Sequence, residues 1–334
     1  MNKLIECVPN FSEGRNKDVI DAIAWSIEQV QGVKLLSVEP DTDYNRCVVT
    51  FVGEPEAVVD AAFRATKAAV EKIDMRHHKG EHPRLGAVDV VPFVPVSGVT
   101  MEDCVRCANE YGMRAGEKLG IPIYLYEEAA RVPERRNLSN IRKGEYEGLA
   151  EKIKDAAWKP DYGPAEFNPR SGGTVTGARF FLIAYNVNLD TNSKETAHEI
   201  ALRIRESGRT VKDANGIAAK IPGTLKSVKA MGVTLERFNI AQVSINLTNY
   251  NVTPPHIAYE EVKKQAATLG ATVTGSEIVG LIPKEALVLA GKFYDGSNAG
   301  TATDGRMIEV AMKELGLSQL EQFLPPKKII EYMI

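Results

Sequence analysis

The sequence predicts an α+β protein made of two similar α/β halves, on three observations. Strand-like and helix-like segments follow one another in the order strand, helix, strand, strand, helix, strand. The same order appears a second time further along. A stretch rich in Gly and Pro, from Asp161 to Gly177, separates the two runs. That order is the split βαβ or ferredoxin-like arrangement. The 334 residues leave room for two folding units, placed at 1–177 and 178–334.

In the first half, Leu4 to Val8 reads as a short apolar strand. Val19, Ile20, Ile23, Ile27 and Val30 then recur at helical spacing from an Asn16 start. Val33 to Val38 and Cys47 to Val52 are β-branched strands flanking a turn of Asp, Thr and Asn. Pro55 sits where a first helical residue tolerates proline, and Val58, Val59, Ala62, Phe63, Ala69, Val70 and Ile73 form one stripe. Ala87 to Val94 closes the set as a strand, whose Pro92 and Pro95 point to a sheet edge or a strand end. A helix from Met101 to Leu119 and a strand from Ile121 to Tyr126 follow. The second half repeats the plan with a strand at Phe180 to Val187, a helix through Ala197, Ile200, Ala201 and Ile204 ended by Gly208, strands at Leu225 to Met231 and Ile240 to Leu247, a helix from Pro255 to Leu269, and a strand at Thr272 to Val279.

Composition narrows the function. The 44% hydrophobic and 25% charged residues are those of a packed globule. Lys and Arg number 41 against 44 Asp and Glu, so the net charge of −3 offers no general attraction to nucleic acid or to an anionic membrane. Residues Met1 to Asn10 lack the apolar core of a signal peptide, and no run approaches the roughly 20 apolar residues of a membrane span. A cytosolic protein with reduced cysteines is expected. No GxGxxG follows a strand and no GxxxxGK[ST] occurs, which argues against dinucleotide and nucleoside triphosphate binding.

The densest polar cluster is Arg76-His77-His78-Lys79-Gly80-Glu81-His82-Pro83-Arg84, which holds three of the five histidines. It lies between a helix and a strand, where loops carry function, and histidine titrates nearest neutrality. The competing readings are a solvated basic turn and a metal site. His78 and His82 are four residues apart with Glu81 beside them, but Gly80 and Pro83 oppose the helix that would align two imidazoles, and the HExxH order is absent. Cys104 and Cys107 form a lone CxxC that falls on one helical stripe with Val105, Ala108 and Tyr111 behind a Thr100 cap, which favours packed thiols. Asn10-Phe11-Ser12-Glu13-Gly14 leaves the first strand where α/β sheets place ligand-binding turns, or where a capping turn would sit. His198 and His256 read as surface or packing residues. Arg131, Arg135, Arg136, Arg142 and Lys143 cluster without interleaved aromatics, the pattern of a solvated face.

Taken together, Val8-Pro9-Asn10-Phe11-Ser12-Glu13-Gly14, the turn Asn45-Arg46, His78 to Arg84 followed by Gly86, Tyr124-Leu125-Tyr126, Gly163-Pro164, Thr176-Gly177-Ala178-Arg179 and Ile329-Ile330-Glu331-Tyr332 resemble the glutamate formimidoyltransferase family. The likeness runs from end to end in one order. It implies transfer of a formimino group from N-formimino-L-glutamate to N5 of tetrahydrofolate in histidine degradation, with tetrahydrofolate as co-substrate and no metal. The chain stops at Ile334, so it looks like the transferase without the cyclodeaminase fused to it in animals. The resemblance also implies two subdomains with mixed sheets facing across a charged tunnel, and a homodimer. It puts the catalytic acid/base at His82. It puts folate binding at Gly163, Pro164, Ala165, Glu166, Phe167, Asn168, Pro169, Arg170, Ser171 and Gly172. An aspartate implicated beside the histidine falls at Glu39 here, with the charge kept and the reach longer by a methylene.

The chemistry suits these residues. Attack by N5 on the formimino carbon gives a tetrahedral intermediate carrying two amines, and forward collapse needs a proton on the departing glutamate nitrogen. One imidazole titrating near neutrality can take the first proton and deliver it, a role typically contributing ~10²–10⁴-fold. The formimino amidine is cationic, which suits a carboxylate such as Glu39. Both substrates carry carboxylates, for which Arg46, Lys79, Arg84 and Arg179 are the candidates because they lie in or beside the matching motifs. A sibling enzyme using formiminoglycine or a formyl donor, a folate-binding protein without turnover, and a metal-dependent hydrolase are the alternatives.

Overall fold

The computed structural model describes residues 3–80, 83–212, 218–296 and 303–334. The fold is mixed α/β with several sheets. It divides into two compact units, and the chain passes from one to the other between Arg179 and Phe180.

The first unit begins with β1 (Leu4–Cys7) and β2 (Asn10–Phe11), two short strands separated by Val8-Pro9. In α1 (Lys17–Glu28) the Asn16 side chain accepts hydrogen bonds from the amides of Asp18 and Val19, satisfying two donors that the first helical turn leaves unpaired. Next come β3 (Val33–Asp41), β4 (Arg46–Gly53) and α2 (Pro55–Lys72), which opens on a proline whose missing N–H costs nothing there. Then follow β5 (Val88–Ser97), α3 (Met101–Leu119), β6 (Ile123–Glu127), the short helices α4 (Leu138–Arg142) and α5 (Glu145–Lys152), and β7 (Thr174–Ala178). A reciprocal Thr100–Asp103 capping box starts α3, and Gly120 ends it in the left-handed region at φ 64°.

The seven strands form one sheet in the order β3-β4-(β1, β2)-β5-β7-β6. Neighbours are antiparallel except around β7, which runs parallel to both β5 and β6. Helices α1, α2 and α3 cover one face over a core that includes Ile23, Ile27, Phe51, Phe93 and Tyr111. A smaller core of Leu85, Val90, Tyr124, Tyr126, Ile141, Leu149 and Val175 lies on the other face. Two expectations change here. Residues 174–177, placed from the sequence in a Gly- and Pro-rich stretch, belong with Ala178 to an interior strand, too short to carry a periodic signal. Pro92 does not mark an edge, because β5 is paired on both sides. It is tolerated where the neighbouring strand breaks: the Pro92 carbonyl accepts from Val8 N at 3.4 Å between β1 and β2.

The second unit carries β8 (Ile183–Leu189), α6 (Lys194–Ile204), the hairpin β9 (Arg209–Lys212) and β10 (Ala218–Ile221), β11 (Val228–Leu235), β12 (Ile240–Leu247), α7 (Pro255–Thr268) and β13 (Val273–Val279). Helices α8 (Lys284–Asp295), α9 (Asp304–Glu314) and α10 (Pro325–Lys328) follow. Its four-stranded antiparallel sheet runs β11-β12-β8-β13. Along β8 the buried Tyr185, Val187 and Leu189 alternate with Asn186 and Asn188. The amide of Gln242 donates to Asn188 at 2.6 Å and to Glu277 at 3.0 Å. This satisfied polar row shows why a two-residue period is the right reading for the strand.

Candidate active site

Three loops of the first unit converge on one side chain, Asn45. The stretch from Asn10 to Gly14 leaves β2, the turn at 41–46 joins β3 to β4, and residues 74–80 follow α2. Asn45 Oδ1 accepts from Gly14 N at 3.0 Å, and Asn45 Nδ2 donates to the Lys79 carbonyl at 2.9 Å. The Asn45 backbone carbonyl faces His78 Nε2 at 3.0 Å. Asn45 sits at φ 48°, a left-handed conformation that asparagine tolerates better than most residues. Gly80 passes so close that a Cβ would lie 2.3 Å from the Tyr44 carbonyl oxygen.

His78 is held at both ring nitrogens. A carbonyl only accepts and the Arg84 Nε–H only donates, so Nε2 carries the proton toward Asn45 and Nδ1 accepts from Arg84 at 3.4 Å. Burial, with the Arg84 charge adding to it against the Asn45 hydrogen bond, pushes the His78 pKa below the usual histidine value. The imidazole is therefore neutral near neutral pH. Arg84 itself is buried and engages Glu147 through two bonds, at 2.8 and 2.5 Å, and Glu145 at 3.0 Å. These pairs raise the Arg84 pKa and hold the Glu147 carboxyl below the usual range.

Behind the loop, Asp89 stands almost alone as an acid in an apolar strand, 2% exposed. Its Oδ1 accepts from Leu85 N at 2.9 Å, and the carboxylate pairs with Arg142. Arg46 donates to Asn10 Oδ1 at 3.2 Å. Its pKa is lowered by burial and by Arg142, with Asp89 acting in the opposite sense.

The segment 163–172 docks against the same loop. Met75 N donates to the Arg170 carbonyl at 2.9 Å, Ala87 N to Ser171 at 2.8 Å, and Gly173 N to Leu85 at 3.1 Å. The Asn168 side chain accepts from Arg170 N and Ser171 N, shaping a turn. The Tyr146 hydroxyl donates to the Pro169 carbonyl at 2.5 Å, and its ring packs on Phe167 with centroids 5.4 Å apart. A cavity of about 650 Å³ lies between the arm at 75–80 with Arg84 on one side and residues 144–147 on the other. That volume suits a ligand of drug or cofactor size.

The chain is similar to known proteins along its whole length. Residues 4–179 match the formiminotransferase domain, N-terminal subdomain, and residues 184–334 match the formiminotransferase domain. The chain belongs to the formiminotransferase family. It is 51% identical over its whole length to the formimidoyltransferase-cyclodeaminase of Dictyostelium discoideum, of which it spans 61%. It is 47% identical to the glutamate formimidoyltransferase of Thermoplasma acidophilum over 93% of this chain and 99% of that one. The glutamate formimidoyltransferase of Streptococcus pyogenes serotype M1 is 44% identical over 88% and 94% respectively. The chain thus spans about three-fifths of the longer, cyclodeaminase-bearing relatives.

His82 and its neighbour Glu81 lie outside the described residues. Glu39 is exposed on β3, opposite Val48 of β4. Lys79 is exposed beside the cavity, and Arg84 lines it while its guanidinium is engaged by Glu145 and Glu147. Arg179 ends the first unit; its amide donates to the Phe93 carbonyl at 3.1 Å and its side chain hydrogen-bonds the Tyr126 hydroxyl, whose pKa burial pushes up to about 12. Cys104 and Cys107 are free and buried on α3, and burial pushes the Cys107 thiol up to about 12. These are packed thiols with little thiolate near neutral pH.

In the cluster at 131–143, Arg131, Arg136 and Lys143 are exposed as composition suggested, but Arg135 and Arg142 are not part of that solvated face. Arg135 is buried, donating to Asp161 at 2.8 Å and to the carbonyls of Ala157 and Lys159. Arg142 holds Asp89. Asp89, Arg142, Glu145, Tyr146 and Glu147 are the site residues that sequence reasoning missed. The available signal was Asp89 itself, a charge inside the run Ala87 to Val94 that demands a buried partner.

Proposed function

We propose that this formiminotransferase moves the formimino group of N-formimino-L-glutamate to N5 of tetrahydrofolate, giving 5-formiminotetrahydrofolate and glutamate. The observation that carries the reading is that the Asn10–Gly14 loop, Asn45 and the His78–Gly80 stretch are hydrogen-bonded to one another, that the 163–172 segment is bonded to Met75 and Ala87, and that His78, Lys79, Gly80 and Arg84 line a cavity. Its similarity to the glutamate formimidoyltransferases of Thermoplasma and Streptococcus supports it. His82 is assigned as the acid/base, taking the N5 proton and returning it to the departing glutamate nitrogen. Glu39 is assigned to the cationic formimino group, residues 163–172 to folate, and Arg46, Lys79, Arg84 and Arg179 to substrate carboxylates. The bonds that Arg84 already makes to Glu145 and Glu147 weigh toward Arg46, Lys79 and Arg179 for that last role.

The ferredoxin-like reading draws support from the second unit, whose strands, counted in chain order within the split βαβ pattern, lie 4-1-3-2 across the sheet. β5, the β1/β2 pair, β4 and β3 repeat that order in the first unit. A charged tunnel and a homodimer rest on the family resemblance, and a cytosolic home on the apolar patterning of the sequence. The decisive experiment mixes the protein with tetrahydrofolate and formiminoglutamate, formiminoglycine or a formyl donor and follows by absorbance the matching product, 5-formiminotetrahydrofolate from the first two and 5-formyltetrahydrofolate from the last. His82→Ala is expected to lower kcat at least ~10²-fold while folate still binds. A near-parental kcat would remove the acid/base assignment, and turnover with formiminoglycine alone would move the donor to the sibling reaction.

A further inference from the structure

We propose that His78 is a positioning residue whose neutral imidazole, wedged between the Asn45 carbonyl and the Arg84 guanidinium, clasps the three loops of the site into one working arrangement. The proposal takes its reaction from the formimidoyltransferase reading above, but its geometry does not depend on that reading. His78 follows the helix α2, Asn45 sits in the β3–β4 turn, and Arg84 is tied through Glu147 to α5. One ring therefore joins segments that are 33 residues apart on one side and, through Arg84, 63 residues apart on the other. On the far side of Asn45, its carboxamide carries the link on to Gly14 and back to Lys79. The direction of each hydrogen bond in this network is dictated by its donor.

The arrangement gives His78 a role unlike that of an acid/base. A proton added at Nδ1 would face the Arg84 Nε–H and cost the ring its only acceptor. Among the described residues, the charged groups that act on the ring include Arg84 and Arg15, which oppose an imidazolium, and Glu13, which favours one; Arg84 also donates its Nε–H to the ring at 3.4 Å. A residue meant to cycle between charged and neutral forms is poorly served by these surroundings. One meant to hold a fixed tautomer is well served.

The test compares His78→Gln with His78→Ala. A glutamine carboxamide supplies one acceptor and one donor, so it can accept from Arg84 and donate to Asn45, whereas alanine does neither. If the ring positions the site, His78→Ala lowers kcat about 10²-fold through misplacement, and His78→Gln recovers it to within about threefold of the parent. If the ring transfers protons, both variants fall by at least ~10²-fold, which overturns the proposal. A second readout is independent of turnover: hydrogen exchange of the Gly14 amide, which donates to Asn45, is expected to quicken at least tenfold in His78→Ala and stay within about threefold in His78→Gln. Unchanged exchange in His78→Ala also overturns the clasp. Should His78→Ala fail to fold, the turnover and exchange of His78→Gln decide alone. If the parent protein itself fails to transfer a formimino group, the reaction assignment fails, and the exchange measurement still judges the clasp.

Discussion

The Asp89–Arg142 pair allows a worked prediction. Asp89 is 2% exposed, its Oδ1 caps Leu85 N at 2.9 Å, and its carboxylate faces Arg142 with Arg46 nearby. In Asp89→Asn the amide oxygen still accepts from Leu85, so the backbone bond survives, but Arg142 is left as an uncompensated charge with a second guanidinium in reach. Removing one partner of a buried pair costs about 3–5 kcal/mol. At a urea slope of about 2–3 kcal/mol per molar, that loss lowers the unfolding midpoint by about 1–2 M. Asp89→Leu also strips the acceptor from Leu85 N and costs about 1–3 kcal/mol more. The double change Asp89→Leu with Arg142→Met removes both charges and regains much of the loss. Tryptophan fluorescence reads the first unit selectively, because both tryptophans, Trp25 and Trp158, belong to it. A midpoint shift below about 0.3 M in Asp89→Asn would refute the reasoning, since the pair would then carry little of the stability assigned to it.

Two further outcomes follow from burial and close contact. His256 is 7% exposed and stacks on Phe293 with centroids 4.7 Å apart; among the described residues its Nδ1 has no hydrogen-bond partner, and burial pushes its pKa down to about 4. The unfolded chain takes up that proton near the ordinary value of about 6.5, so it binds more protons than the folded chain in between. The stabilisation is therefore whole above about pH 6.5 and is lost, on the order of 3 kcal/mol, as pH falls through that window toward the folded pKa. The stability of the protein to urea, measured by far-UV circular dichroism across this pH window, should show this slope, and His256→Phe should flatten it; an equal slope in both proteins would count against the assignment. In Gly86→Ala the new Cβ would lie 2.3 Å from the Ser171 oxygen and 2.4 Å from that of Gly173, both backbone atoms. Such overpacking costs about 1–3 kcal/mol, which titration calorimetry should register as a loss of about tenfold or more in affinity for folate if the 163–172 segment binds it as proposed, and undiminished affinity would show that the 171–173 segment accommodates it freely.

The legible parts of the sequence were those where local chemistry fixes local structure. Asn16, Pro55 and Thr100 announced the starts of α1, α2 and α3 through groups that only helix termini use. The strand β12 was readable from its alternation, since four of its eight residues point into the core. The boundaries drifted where a strand continued past its apolar run, as β3 does through Glu39 and Pro40 to Asp41. The short strand β7 was invisible because five residues cannot display a period, and its pairing is with segments 85 and 51 positions away. In the site, the motif loops were legible and their wiring was not. Nothing local says that Asn45 reaches both Gly14 and Lys79, or that Arg84 finds Glu147. The basic residues Arg135 and Arg142 misled because composition treats every guanidinium as solvated, whereas each has a carboxylate partner supplied from another element.

The place of β7 also bears on how the first unit is completed during synthesis. The connection through α3 carries the chain from β5 past a vacant lane to β6, and the lane is filled only when residues 174–178 arrive and pair with both neighbours. Until then two strands present open edges toward each other, the kind of surface that recruits stray chains. A nascent polypeptide halted before that point holds an unsealed sheet, and the 163–172 segment is threaded into position by the same closing step.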